Sequence, residues 1–134
     1  MELTFAQLNE AGAGLLPGHL GIEIVTVDEG RVSGRMTLGA QHMAPNGYLH
    51  AAAVVGLADT ACGYGCILGL PAGAVGFTTI ELKTNFLRTA QQGTISCEAV
   101  LAHGGRTTQI WDATVRDADG RTLALFRCTQ LILR

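Results

Sequence analysis

The sequence predicts an α+β domain: a long central helix wrapped by a curved, mostly antiparallel six-stranded sheet, with a short helix in front. Two observations carry this. Residues Leu49 to Leu70, LHAAAVVGLADTACGYGCILGL, form a 22-residue stretch that is almost wholly apolar or small. Around it lie six runs of strand character, two before and four after, separated by turn residues. A single long helix and a mostly antiparallel set of strands pack best as one layer on the other.

Each element has its own signal. Thr4 caps a first helix over residues 4 to 13, with Phe5, Leu8 and Ala11 on one face. Gly12 and Gly14 end it, and Pro17-Gly18 marks a loop. Gly21 to Asp28 and Arg31 to Leu38 are strands joined by a turn at Glu29-Gly30. Gln41 to Tyr48, with Pro45, Asn46 and Gly47, is a loop leading into the long helix, which Pro71 and Gly73 stop. The Ala, Gly and Cys content of that helix lets other backbones approach closely. Thr78 to Arg88 alternates, with Ile80, Leu82, Thr84 and Phe86 on one face and Glu81, Lys83 and Asn85 on the other. Thr94 to Ala102, Thr107 to Val115 and Thr122 to Leu133 complete the set, turning at His103-Gly104-Gly105 and at Asp117 to Gly120.

Bulk properties narrow the function classes. With 134 residues, no repeat and no internal linker, residues 1–134 make a single domain. The net charge is −2 and no Lys/Arg cluster marks a nucleic-acid partner. Only 15% of residues are charged against 48% hydrophobic, so some apolar surface is expected to be buried against another subunit. The polar, acidic start MELTFAQLNE does not read as a signal peptide. Cys62, Cys66, Cys97 and Cys128 fit no dense disulfide framework, so a reduced, cytoplasmic protein is expected, with these thiols as packing residues and no metal. The long apolar stretch could span a membrane by length, but Asp59 in its middle and the absence of flanking Lys or Arg argue for a buried core helix.

Asp59 is the feature that demands a reason. A lone carboxylate on such a helix is costly to bury unless it is paired or functional. The residues around it, PNGYLHAAAVVGLADTACGYG, resemble the signature of hotdog-fold acyl-CoA thioesterases of the phenylacetate-degradation (PaaI-like) type. That signature is Gly-x-x-His-Gly-Gly at the start of the central helix, with a carboxylate nine residues after the His in an Ala-Asp-Thr-Ala run. Gly47, His50 and Asp59 keep the spacing, and Ala58 to Ala61 supply the run. TIELKTNFLRTA from Thr79 and the closing LALFRCTQLIL extend the likeness over nearly the whole chain. Two departures stand out. Ala51 and Ala52 replace the paired glycines, and Ala44 stands where relatives commonly carry a loop Asn. Asn46 is either a substitute for that Asn or a turn residue before Gly47.

The resemblance implies a thioester hydrolase acting on aryl- or short- to medium-chain acyl-CoA, with coenzyme A as part of the substrate and no separate cofactor. Asp59 would be general base or nucleophile. The Ala51 N–H in the first helical turn is the candidate oxyanion donor. His50 would polarise the carbonyl or orient the loop. A strand Ser or Thr helps place the acid or water in relatives; Thr79 matches best, with Thr78 as its neighbour. Gly47, Thr60, Tyr64, Thr78 and Phe86 are candidates for binding the substrate, with the acyl pocket around Tyr64 and Phe86. Arg88, Arg106 and Lys83 are candidates, by charge, for the CoA phosphates, although Arg88 and Arg106 fall near opposite strand ends. A hotdog hydratase or dehydratase, and a non-catalytic acyl-CoA binder, are the competing functions.

Geometry adds one expectation. Ala51 and Asp59 are eight residues apart on one helix, about 12 Å at 1.5 Å per residue. One carbonyl cannot touch both. A shared site then requires two chains, with their helices antiparallel across a two-fold axis, hence a homodimer with sites at the interface. Edge-to-edge joining of the two sheets would cover their exposed edges, and further pairing to a tetramer is compatible with this.

Overall fold

The computed structural model describes residues 3–134. It contains α1 (Phe5–Gly12), α2 (Leu16–Leu20), β1 (Ile22–Asp28), β2 (Arg31–Thr37), α3 (Ala51–Leu68), β3 (Gly76–Phe86), β4 (Thr94–Gly104), β5 (Thr108–Arg116) and β6 (Thr122–Leu133). A short 3₁₀ turn, Ala40–His42, precedes α3. The six strands form one sheet in the order β1-β2-β4-β5-β6-β3, every neighbouring pair antiparallel. α3 lies across the sheet and touches all six strands. This is the α+β hotdog arrangement expected from the sequence.

Local chemistry accounts for the elements. Thr4 and Gln7 form a capping box at the start of α1. Asn9 then clamps α1 to the sheet: its side-chain amide donates to the Ile24 carbonyl (3.0 Å) and its Oδ1 accepts from the Ile24 N–H (2.7 Å). α2 corrects the reading of Pro17-Gly18 as loop. Pro17 sits in the first turn, where its missing N–H costs no helical bond, and Gly21 closes the helix with φ +74°. α3 is shorter at both ends than the apolar stretch, because His50 caps its start and Gly69 its end.

α3 is the one described helix long and apolar enough to cross a membrane, and half of it is buried inside the fold. Small residues permit that burial. Gly65 lies flat against the Trp111 ring, and a Cβ at Gly63 would come within 2.8 Å of Phe77. Trp111 Nε1 donates to Gln109 Oε1 (2.9 Å), and Gln109 Nε2 donates to the Gly69 carbonyl (3.0 Å), so the sheet also ties down the end of α3. Gly65→Ala, which drives a methyl into the indole, is expected to destabilise by about 1–3 kcal/mol. Chemical denaturation of wild type and variant measures it.

The chain does not place β3 beside β4, its successor in sequence. After α3 the chain emerges at the far edge, so β3 pairs only with β6 and its other side is open. Four large apolar residues at this edge, Ile80, Leu82, Phe86 and Leu87, are exposed. The register also differs from strict alternation. Thr79 opposes Gln130 and Glu81 opposes Thr129, with Ile80 left out as a bulge. The bulge brings Thr79 onto the same face as Leu82, Thr84 and Phe86, opposite the buried Gln130, Cys128, Phe126 and Ala124 of β6. Simple alternation would have turned Thr79 outward with Glu81.

Candidate active site

Asp59 is half-buried midway along α3. The bulge in β3 aims Thr79 at it, with Thr79 Oγ1 3.0 Å from Asp59 Oδ1. Burial raises the Asp59 carboxyl above the usual carboxylate range, and the Thr79 hydroxyl partly offsets this. Thr79 Oγ1 also lies 2.8 Å from Gln130 Oε1. Gln130 is fully buried on β6 and was not among the sequence candidates. Thr78 is exposed on the opposite face of β3 and is not brought to Asp59. Thr60 follows Asp59 on the helix and is half-buried.

The start of α3 forms a second cluster. His50 is the N-cap: its Nδ1 accepts from the Ala52 N–H at 2.9 Å. The neutral ring therefore carries its proton on Nε2, free to donate. The Ala53 N–H is bonded to the His50 carbonyl (3.0 Å). The Ala51 N–H has no acceptor among the described residues. One backbone donor thus stands free at the positive end of an 18-residue helix.

The preceding loop is held firmly. Gly47 takes φ +87°, which a side chain would strain. Asn46 Oδ1 accepts from the Tyr48 N–H (3.1 Å), so in the structure Asn46 builds the turn. His42, missed from sequence, is buried: its Nδ1 accepts from the Gly39 N–H (2.9 Å), and its Nε2 donates to the Leu20 carbonyl (2.6 Å). The His42 carbonyl accepts from the His50 N–H (2.9 Å), so this buried ring positions His50 through the backbone. A cavity of about 270 Å³ beside the helix start is lined by Leu20, Met43, His50, Ala52, Ala53 and Gly56.

Other candidates lie apart. Tyr64 is about 140° around α3 from Asp59, and its hydroxyl packs near Gly12 of α1, so it is not beside the carboxylate. Phe86 is on the inner face of β3, exposed near its end. Arg88 follows β3, with its N–H bonded to the Leu123 carbonyl, while the Arg106 carbonyl accepts from Arg134. The two arginines therefore sit at opposite ends of β6. Lys83 is exposed on the outer face of β3.

Among the described residues no three of His, Cys, Asp and Glu converge as metal ligands. The four cysteines are free and buried. Hydrogen bonding to Cys128 and burial raise the Cys62 thiol well above its usual value, and burial pushes Cys66 up to about 11 and Cys97 up to about 12. All three stay protonated near neutral pH and are poor nucleophiles.

Comparison with known proteins identifies the family and agrees with the fold. Residues 46–124, from the loop before α3 into β6, match the thioesterase superfamily. A 1,4-dihydroxy-2-naphthoyl-CoA hydrolase of Listeria monocytogenes is 31% identical over 110 residues, spanning 82% of this chain and 89% of that protein. The crystal structure of a mutant of thioesterase PA1618 from Pseudomonas aeruginosa superimposes with TM-score 0.94 at 26% identity, over 99% of this chain and 96% of that one. The PaaI protein from the E. coli phenylacetic acid degradation operon superimposes with TM-score 0.79 at 28% identity, over 88% of this chain and 83% of that one. A family match over more than half its length, and a hydrolase relative 31% identical across most of both chains, show that this chain belongs to the thioesterase superfamily and is a hotdog-fold thioester hydrolase.

Proposed function

We propose that the chain is an acyl-CoA thioesterase that hydrolyses aryl- or short- to medium-chain acyl-CoA to the free acid and CoA. One observation carries the reading: Asp59 is held half-buried by Thr79 on the inner face of the open edge strand, the face that also carries the exposed Leu82 and Phe86. Asp59 activates water or attacks the thioester carbonyl. The Ala51 N–H donates to the developing oxyanion, and the Nε2–H of His50 is available to polarise the same carbonyl.

Ala51 and Asp59 of one helix are about 12 Å apart, so each site draws Asp59 from one chain and Ala51 from the other. The open side of β3 supports edge-to-edge pairing of two copies into one continuous sheet. Arg88 and Arg106 lie too far apart to share one phosphate, so at most one of them serves a given CoA end. The free thiols suit a reducing compartment, the cytoplasm. The activity of the Listeria relative supports including aromatic acyl groups among the substrates.

A panel of aryl- and alkyl-CoA thioesters, followed by thiol release, tests the reading. Turnover of at least one class, with an aromatic member among the best, is expected. No release from any member overturns it. Sedimentation is expected to find a dimer or a larger even assembly, and a stable, active monomer overturns the shared site.

A further inference from the structure

Gln130 is fully buried on β6, directly opposite Thr79 of β3, and no acyl group can reach it. Its carboxamide is bounded by two groups. Oε1 lies 2.8 Å from Thr79 Oγ1, and Nε2 lies 3.3 Å from Cys128 Sγ. Thr79 Oγ1 in turn lies 3.0 Å from Asp59 Oδ1. Two acceptor oxygens thus converge on a hydroxyl that owns one proton.

Two arrangements satisfy all three groups. With Asp59 protonated, its O–H donates to Thr79, and Thr79 donates to Gln130 Oε1. With Asp59 ionised, Thr79 must donate to the carboxylate, and its oxygen needs a donor from behind. Gln130 supplies one if its amide turns over to present Nε2–H. Cys128 permits the turn, because a thiol is a weak donor as well as a weak acceptor. A carboxamide is the neutral side chain that serves both arrangements, and burial protects it from competing water.

We propose that Gln130 is a positioning residue: it orients the Thr79 hydroxyl toward Asp59 and lets that hydroxyl reverse its polarity when Asp59 gains or loses a proton. The inference rests on Asp59 being the catalytic acid. The groups facing Asp59 are Thr79 from β3 and, through space, the Cys62 thiol of its own helix, itself bonded to Cys128 of β6. Neither carries charge, so among the described residues of the same chain only this relay acts on the Asp59 titration; the helix start with His50 and Ala51 that the shared site brings from a second chain is the same in every variant compared below.

A double-mutant cycle tests this. Gln130→Met removes both amide functions at similar volume, and Thr79→Val removes the hydroxyl at similar shape. Q130M is expected to lower kcat roughly 5- to 10-fold, the loss of about one hydrogen bond, with KM little changed. The acid limb of its kcat profile moves, because the Thr79 hydroxyl loses the partner that sets its direction in the two protonation states of Asp59. In the T79V background Q130M is expected to cost nothing further and to leave the acid limb where T79V put it. If Q130M does not fold, Gln130→Leu takes its place, with Tm measured for each variant. Equal losses in both backgrounds, or an unmoved acid limb, overturn the inference. Asp59→Asn runs alongside. If it is fully active, the function reading fails first; if it is inactive and the cycle is additive, this inference alone fails.

Discussion

Asp59→Asn is expected to lower kcat by about 10³-fold while making the protein more heat-resistant at neutral pH. The two effects share one cause. The carboxylate proposed to do the chemistry sits half-buried, where desolvation disfavours its charge. Its folded-state pKa therefore lies above the unfolded value. The fold is favoured while Asp59 is protonated, below the unfolded pKa of about 3.9, and that contribution is lost as pH rises through the folded pKa. Asparagine keeps the Oδ1 acceptor for Thr79 and never takes the charge. The Tm of D59N should exceed that of wild type at pH 7 and match it in acid. The kcat/KM of wild type should fall as pH drops through the raised Asp59 pKa. A D59N protein that is inactive and less stable at pH 7 would mean that Asp59 is chiefly a structural anchor.

The second large effect concerns the other end of α3. Ala51→Pro is expected to lower kcat by about 10²–10³-fold, the usual loss on removing one oxyanion donor, with the fold retained. Ala51 is the first helical residue, where proline is well tolerated because its N–H has no helical partner. His50 already has the extended backbone (φ −70°, ψ 134°) that a following proline demands. The substitution therefore removes a single N–H group. Mixing makes the test sharper. A heterodimer of one D59N chain and one A51P chain pairs an intact helix start with an intact Asp59 at one site and two defects at the other. Two nearly inactive homodimers should yield a heterodimer with about half of wild-type activity per dimer, the expectation for two equivalent sites. Continued inactivity after verified exchange excludes the shared site. Wild-type activity of the A51P homodimer excludes Ala51 as the donor.

Much of this was legible in the chain because it was costly. An aspartate inside an apolar helix has few explanations, and Gly47, His50 and Asp59 lie within one local stretch whose spacing a helix preserves. The strands were legible from alternation, and the lateral position of β3 was not, since pairing partners depend on where α3 delivers the chain. Thr79 could be named but its face could not be derived. A bulge leaves little trace in an alternating pattern, and here it decides whether the hydroxyl meets Asp59 or solvent. Gln130 looked like an ordinary polar residue on a strand. Its burial follows from β6 being covered by α3 on one face, a tertiary fact. Pro17 signalled a break, and α2 formed because proline is as compatible with the first turn of a helix as with a loop.

The glycines that seat α3 on Phe77 and Trp111 also limit how this enzyme can diversify. A larger residue at Gly63 or Gly65 lifts the helix, and a rigid helix carries Asp59 and the free Ala51 N–H with it. Both halves of the proposed catalytic apparatus then shift together, so the helix behaves as a ruler that lineages cannot stretch to suit a longer substrate. Room for new acyl groups has to be found at the periphery, in the Gln41 to Tyr48 loop and the far end of β3. Comparing related sequences should reveal a static ruler and a drifting rim.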